Sequence, residues 1–129
     1  VSNAQKLAEF FFFFPKEDKV NYSFLESSSY HKLQLKYLPK GAGSIFSIEL
    51  KDGFKAARDF IDNLDIFSDL ANVGDSKSLV VHPASTTHQQ LDEEAQRAAG
   101  ITPGTVRISV GIENINDLLE DVEQALSKI

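Results

Sequence analysis

The two histidines of the segment VVHPASTTHQQL, residues 80–91, are the first side chains in this sequence that could carry out chemistry. With a nearby acid such as Asp92, His82 and His88 could bind a metal ion. Their spacing of six residues fits neither one face of a helix, where ligands lie three or four residues apart, nor the paired-histidine zinc motif. The pattern therefore favours histidines that hydrogen-bond to backbone near a strand end, and we predict no metal site.

The hydroxyl residues between these histidines could instead supply a nucleophile. Ser85, Thr86 and Thr87 all lie within reach, along the chain, of His88 as a general base. A nucleophilic serine of this kind usually sits on a sharp turn flanked by glycines, and no such turn surrounds these residues. The sequence also identifies no partner aspartate for the histidine. We therefore predict no catalytic nucleophile here.

A third candidate is the segment PKGAGS, residues 39–44, which has the two glycines and the lysine of a phosphate-binding loop. A loop of that kind lies between a strand and the helix that follows it. This segment precedes a predicted strand instead. A simple turn is therefore the better interpretation.

Arg107 is the strongest candidate for binding. It lies in the middle of the predicted strand TVRISVGI, and its neighbours on the same face are Thr105, Ser109 and then Gly111. A long cation flanked by small residues leaves room for an anion, and the planar guanidinium can hold a carboxylate through two parallel hydrogen bonds. An ordinary surface arginine on the open face of a sheet fits the pattern equally well.

The composition restricts the class of protein in which these residues act. The chain has 129 residues, 42% of them hydrophobic, which is enough for one domain with a core. Its net charge of -6 argues against nucleic-acid partners and anionic membranes, and no apolar run approaches the ~20 residues of a transmembrane helix. The lack of cysteine excludes disulfides and thiol chemistry and favours a cytoplasmic location. The lack of methionine leads us to expect a trimmed chain or a fragment.

Hydrophobic periodicity predicts alternating helices and strands without a strict repeat. We expect an α+β fold: a two-layer sandwich with a mostly antiparallel sheet and helices on one face. Ser28 or Ser29 should cap the second helix, and Asn114 the last. The predicted helices are 3–14, 28–38, 53–64, 91–100 and 114–129, and the predicted strands are 18–22, 44–50, 66–73, 78–82 and 105–112.

The first helix ends in five consecutive phenylalanines, residues 10–14. Five adjacent aromatic rings on a helix point in every direction, so one core cannot cover them all. Either the helix is buried on two sides, or a partner surface is missing from this chain, or the run is not the natural sequence. The sequence leaves these three alternatives open.

Long motifs in the chain resemble a known enzyme family. KYLPKGAGSIFSIEL, FSDLANVGDSKSLVVHPASTTHQQL and GITPGTVRISVGIENINDLLEDVEQAL are similar to the carboxy-terminal region of the Cys/Met-metabolism pyridoxal-phosphate enzymes. That family includes cystathionine synthases and lyases, methionine γ-lyase and O-acetylhomoserine sulfhydrylase, and ANVGDSKSLVVHPASTTH most resembles the last. The resemblance implies that residues 1–129 are the small carboxy-terminal domain of a fold-type I enzyme, and that residues 1–14 link it to a missing large domain.

The resemblance also implies roles for individual residues. Arg107, in the family's VRxSVGxE strand, would bind the α-carboxylate of an amino-acid substrate. Asn72, directly before VGD, would lie beside that carboxylate, and Thr87 would help to wall the pocket. The lysine that binds pyridoxal phosphate in the family would belong to the missing domain, since Lys40 and Lys77 lie in other motifs. The chain would therefore contain no catalytic residue.

For the whole enzyme, the resemblance implies a cytoplasmic, homotetrameric transferase of methionine biosynthesis. It would convert O-acetylhomoserine and sulfide to homocysteine and acetate, with pyridoxal phosphate as cofactor, and the fragment alone would be inactive. Two alternatives stay open. One is the same domain of a cystathionine γ-synthase, a cystathionine γ-lyase or a methionine γ-lyase. The other is a stand-alone α+β binding module without catalytic activity.

Overall fold

The computed structural model describes residues 1–13, 17–72, 74–87 and 89–129. None of the helices in these ranges is both long enough and apolar enough to cross a membrane. The helices are α1 (Ser2–Phe13), α2 (His31–Tyr37), α3 (Gly53–Asn63), α4 (Glu93–Ala98) and α5 (Ile115–Ser127), with a 3-10 turn at Pro83–Ser85. The strands are β1 (Glu17–Asn21), β2 (Ile45–Leu50), β3 (Ser68–Asp69), β4 (Leu79–Val81) and β5 (Thr105–Ser109).

The strands form one sheet in the order β1-β2-β5-β4-β3. Every pairing is antiparallel except that of β3 with β4. Strand β5 is therefore central, and Arg107 lies opposite Ser47 on one side and Val81 on the other. The predicted mostly antiparallel sheet is confirmed.

The hydrophobic core lies between one face of this sheet and three helices. Strand residues alternate in direction, so Ile48, Val106 and Ile108 are buried while their sequence neighbours face away. Helices α1, α3 and α5 cover the buried face and contribute Leu7, Phe60 and Leu118, among others, to the core. The predicted two-layer α+β sandwich is confirmed.

One predicted strand is wrong over most of its length. Of the described residues 66–72, only Ser68–Asp69 forms strand β3, and Val73 lies outside the described residues. The buried carboxylate of Asp121 on helix α5 accepts hydrogen bonds from the backbone N–H groups of Asp65 and Ile66, at 2.8 Å each. These donors therefore serve a helix side chain rather than a strand ladder.

Helix α2 also differs from its prediction. It begins at His31 rather than near Ser28, and Tyr30 is its N-cap without a side-chain hydrogen bond. The hydroxyl of Ser28 accepts from the N–H of Tyr30 before the helix starts. The helix buries Gln34 and exposes Leu33 and Leu35, which reverses the usual amphipathic pattern.

The phenylalanines of α1 are divided between core and surface, and Phe14 lies outside the described residues. The ring of Phe11 is fully buried and meets those of Phe46 and Phe60 edge-on, at centroid distances of 5.9 and 6.1 Å. Phe12 and Phe13 are 47% and 82% exposed. Within the described residues, the helix is therefore covered on one side.

This division predicts unequal effects of two matched substitutions. Phe11→Ala should lower the free energy of unfolding by about 3–5 kcal/mol, because it leaves a cavity among three packed rings. Phe13→Ala, in the same helix, should change it by less than about 0.5 kcal/mol. Urea denaturation of the 129-residue chain measures both values. Equal losses in the two variants would contradict the placement of these rings.

Candidate functional site

Arg107 lies on the sheet face opposite the core, in the central strand. Its side chain is half-buried, and its cross-strand neighbours are Ser47 and Val81. The ion pairs among the described residues are i,i+4 pairs on helices, namely Lys55–Asp59, Arg58–Asp62 and Arg97–Glu93. Arg107 forms no ion pair with any described carboxylate, so its charge is available to an external anion.

A small recess of about 10 Å³ opens beside Arg107, with room for about one water molecule. Asn72 and Ser109 supply its polar groups, and Ile45 and Leu79 are among its apolar walls. The structure thus brings together Arg107 and Asn72, which the sequence singled out separately. Of the small neighbours predicted for Arg107, Ser109 lines the recess, whereas Thr105 is buried.

Asn72 belongs to an exposed segment between β3 and β4. Its Nδ2 donates to Oδ2 of Asp75 at 3.3 Å, and Oδ1 of Asp75 accepts from the backbone N–H of Lys77 at 2.9 Å. The bond from Lys77, followed by that from Asn72, lowers the pKa of Asp75. A charged carboxylate therefore orients the Asn72 amide at neutral pH.

Thr87 is exposed, in the turn that follows the 3-10 turn at Pro83–Ser85. It is not among the described residues that line the recess beside Arg107. The hydroxyl of its neighbour Thr86 donates a hydrogen bond to the backbone carbonyl of His82 at 2.7 Å. The geometry thus places Thr87 beyond the walls of this recess, and its role stays a prediction.

His82 is fully buried and hydrogen-bonded at both ring nitrogens. Nε2 lies 2.6 Å from the carbonyl oxygen of Pro103, which can only accept, so Nε2 carries the proton. Nδ1 then accepts from the hydroxyl of Ser85 at 2.7 Å. The predicted backbone hydrogen bond is confirmed for His82, whereas His88 lies outside the described residues. Within the described ranges, no three His, Asp or Glu side chains gather as metal ligands would.

Sequence reasoning missed a partly buried contact between Ser78 and Glu113. The carboxylate accepts from the backbone N–H of Ser78 at 2.9 Å and from its hydroxyl at 2.8 Å. The same hydroxyl accepts from the N–H of Gly111 at 2.8 Å. We call Ser78, Gly111 and Glu113 the clasp. No local signal could have revealed it, since Ser78 and Glu113 lie 35 residues apart.

Gly111 is required by the close approach of backbone segments within the clasp. A Cβ atom at this position would overlap the carbonyl oxygen of Ser76. That same oxygen accepts from the N–H of Ile112 at 2.9 Å. Asn3 of α1 adds hydrogen bonds to the carbonyls of Gly111 and Glu113 at 3.1 and 2.7 Å. The start of α1 and the loops before β4 and after β5 are thus joined at one point.

Comparison with known proteins gives the family context of this site. A family model described as Cys/Met metabolism PLP-dependent enzyme matches residues 1–127. The O-acetyl-L-homoserine sulfhydrylases of Leptospira meyeri and Corynebacterium glutamicum are 52% and 46% identical over 98% of this chain. The chain spans 29% of the length of each of these relatives.

Solved structures agree in fold. A structure described as an O-acetylhomoserine (thiol)-lyase from Campylobacter jejuni matches with a TM-score of 0.92 and 46% identity, over 98% of this chain and 30% of that chain. A cystathionine gamma synthase from Xanthomonas oryzae pv. oryzae, in complex with cystathionine, matches with a TM-score of 0.91 and 38% identity, over 98% of this chain and 33% of that chain. The Campylobacter protein carries N'-pyridoxyl-lysine-5'-monophosphate at its position 205. That lysine lies outside the 129-residue chain.

Lys40 and Lys77, the two lysines considered from the sequence, do not line the recess beside Arg107. Lys40 and Lys77 are both exposed, and the ammonium group of Lys77 donates to the backbone carbonyl of Ile66. The recess beside Arg107 has room for about one water molecule and is too small for a cofactor. The cation of Arg107 and the exposed residue Asn72 both line this recess.

The clasp predicts a specific dependence of stability on pH. Burial raises the pKa of Glu113, but the hydrogen bonds from Ser78 outweigh this effect, so its pKa lies below the ordinary value of 4.5. A carboxyl whose pKa is lower in the folded state contributes stability above about pH 4.5, and this contribution is lost as the pH falls through the folded-state pKa. Glu113→Gln should therefore destabilise the chain at neutral pH and progressively less towards about pH 3.

Urea denaturation of the unchanged chain and of Glu113→Gln, between about pH 3 and pH 7, measures the difference in their free energies of unfolding. Asp75, whose pKa is also lowered, is present in both proteins, so subtraction isolates Glu113. A constant difference in the free energy of unfolding across this range would show that Glu113 is not held as a carboxylate by Ser78.

Proposed function

The chain belongs to the Cys/Met metabolism PLP-dependent enzyme family, and on that basis we propose that it is the carboxy-terminal, substrate-carboxylate-binding domain of an O-acetylhomoserine sulfhydrylase. The whole enzyme would convert O-acetylhomoserine and sulfide to homocysteine and acetate. Relatives with that name, 52% and 46% identical to the chain, support this reaction class.

The observation that carries the binding role is the unpaired guanidinium of Arg107 next to Asn72. An arginine without a carboxylate partner among the described residues keeps its five donors for a ligand. Its planar fork matches an α-carboxylate, and the amide of Asn72 lies at the edge of the same recess. Thr87 would contribute to the outer wall of the pocket once the rest of the enzyme is in place.

Much of the substrate site would come from outside this chain. A recess of about 10 Å³ cannot enclose an amino acid, so Arg107 and Asn72 would form one side of a larger pocket. We propose that residues 1–14 link this domain to a larger one. The exposed rings of Phe12 and Phe13, and an open groove lined by Lys6, Phe10 and Leu119 among others, support a covering surface there. We further propose a cytoplasmic homotetramer.

In this enzyme, pyridoxal phosphate would supply the electron sink for loss of acetate, and the described residues would hold the substrate. Two hydrogen bonds from Arg107 fix both the position and the plane of the carboxylate. This orients the Cα–H bond and the acetyl leaving group relative to the cofactor. Positioning of this kind can lower a barrier by several kcal/mol.

A second reaction in the family is the main alternative. The cystathionine gamma synthase structure matches almost as well, with a TM-score of 0.91, so the same clamp could serve cystathionine formation. An L-methionine gamma-lyase from Fusobacterium nucleatum, 43% identical to the chain, makes γ-elimination a further candidate. Assays of the full-length enzyme with sulfide, with cysteine and with methionine separate the three. A non-catalytic binding module is disfavoured, because the family model matches almost the whole chain.

The role of Arg107 predicts a kinetic effect with little change in folding. In the full-length enzyme, Arg107→Ala should lower kcat/KM for O-acetylhomoserine about 100-fold, because a charge-assisted bidentate contact contributes about 3 kcal/mol. Arg107→Lys should recover little, since an ammonium cannot reproduce the planar fork. The melting temperature should hardly change in either variant. A large loss of stability with normal kinetics would make Arg107 a structural residue.

The pyridoxyl-lysine of the Campylobacter jejuni relative lies outside this chain, which predicts the behaviour of the 129-residue chain by itself. Incubation with pyridoxal phosphate followed by borohydride should label no single lysine stoichiometrically, and the chain should show no turnover. Mass spectrometry of the reduced protein makes this measurement. One lysine labelled at one equivalent would contradict the assignment of the reactive centre to another part of the enzyme.

A further inference from the structure

We propose that Glu113 is a positioning residue for the carboxylate site: through Ser78 it holds the segment 70–78, and with it Asn72, beside Arg107. The inference rests on the proposed function, since it assumes that Arg107 and Asn72 bind the substrate. Glu113 itself does not line the recess. It would act through the backbone that carries Asn72.

Apart from Ser78, the described residues of the segment 70–78, which do not include Val73, have little burial of their own to fix its position. Leu70, Ala71 and Asn72 are exposed, as are Ser76 and Lys77. Exposed segments with few apolar contacts open easily, so their position depends on their anchors. Strand β3, which pairs with β4, anchors the chain just before the segment, and the remaining anchors considered below lie at its carboxy-terminal end.

The clasp is the most buried of these anchors. Ser78 is fully buried, and Glu113 accepts from both its N–H and its hydroxyl. The hydroxyl of Ser78 also accepts a hydrogen bond from the N–H of Gly111, and the carbonyl of Ser76 accepts one from the N–H of Ile112. By contrast, the bond between Asp75 and Lys77 lies within the segment and cannot tie it to the sheet.

The chemistry of the clasp requires a carboxylate. Both groups that Ser78 presents to Glu113 are donors, and a charged carboxylate can accept both at once. A glutamine would place its NH₂ group against one of these donors. The hydroxyl of Ser78 cannot turn away without cost, because its oxygen already accepts from Gly111. Glu113→Gln therefore keeps nearly the same shape but loses one of the two hydrogen bonds from Ser78.

The clasp also lies next to β5, the strand that carries Arg107. Gly111 and Glu113 follow β5 directly, and Leu79, which follows Ser78, pairs with Ser109 on β5. Movement of Ser78 away from Glu113 would shift the segment 70–78 while β5, and Arg107 on it, stays paired to β2. The expected consequence is a displaced Asn72 beside an unchanged Arg107.

Double-mutant kinetics in the full-length enzyme test this inference. Glu113→Gln should raise the KM for O-acetylhomoserine about 10-fold, with kcat within about 2-fold of wild type. Ser78→Ala should do the same, since it removes the hydroxyl that donates to Glu113. If Glu113 acts through Asn72, the double variant Asn72→Ala/Glu113→Gln should have the KM of Asn72→Ala alone. Independent, multiplying effects on KM would overturn the inference.

Two further measurements keep the outcomes distinct. Asp117→Asn, which removes an exposed negative charge from the first turn of α5, should leave the KM unchanged. In the 129-residue chain, Glu113→Gln should accelerate amide hydrogen exchange in 74–78, while exchange at Arg107 and Ile108 stays slow. Glu113→Asp, which keeps the charge but shortens its reach, serves as a second variant if Glu113→Gln does not fold.

The result for Arg107→Ala separates this inference from the proposed function. If Arg107→Ala leaves kcat/KM normal, the proposed function fails, and the inference fails with it. If Arg107→Ala lowers kcat/KM but folded Glu113 and Ser78 variants keep a wild-type KM, only the inference is overturned. An effect of Asp117→Asn equal to that of Glu113→Gln would also overturn it, because simple charge would then explain both.

Discussion

The alternation of side chains along strand β5 is the constraint on which the rest of this domain depends. Val106 and Ile108 point into the core, where α1, α3 and α5 cover them, and this burial holds β5 in the centre of the sheet. Because successive strand residues face opposite sides, Arg107 must then point to the face opposite the core. A shift of one residue in register would bury the guanidinium and expose the core. The burial of Val106 and Ile108 thereby determines the side of the sheet on which the guanidinium of Arg107 lies.

A strand can place Arg107, but it cannot place Asn72, which lies in an exposed segment. Polar contacts join the end of that segment to the backbone after β5: Ser78 with Glu113, and Ser76 with Ile112. These contacts are possible only because Gly111 lets two backbones approach closely. The recess thus combines Arg107, which the core places through β5, with Asn72, which lies in a segment joined to β5 by a few hydrogen bonds.

Two surfaces of the domain are unusually apolar for exposed protein. One is the end of α1 with Phe12 and Phe13, and the other is helix α2, where Leu33 and Leu35 face outward while Gln34 is buried. Patches of this kind are typical of contact surfaces. They accord with the proposal that this domain packs against other parts of a longer enzyme, since the chain spans 29% of the length of its sulfhydrylase relatives.

The sequence by itself determined the layers of the fold and the direction of Arg107, because alternation in 105–109 and helical spacing in α3 and α5 are local properties of the chain. Its motifs also indicated the family, which the comparisons confirmed. Only the tertiary structure decided that 66–72 is mostly not a strand, that Phe11 rather than its neighbours is buried, and that Ser78 meets Glu113. Each of these depends on partners distant along the chain, such as Asp121, Phe46 and Phe60, and no local pattern encodes which distant groups will meet once the core has formed.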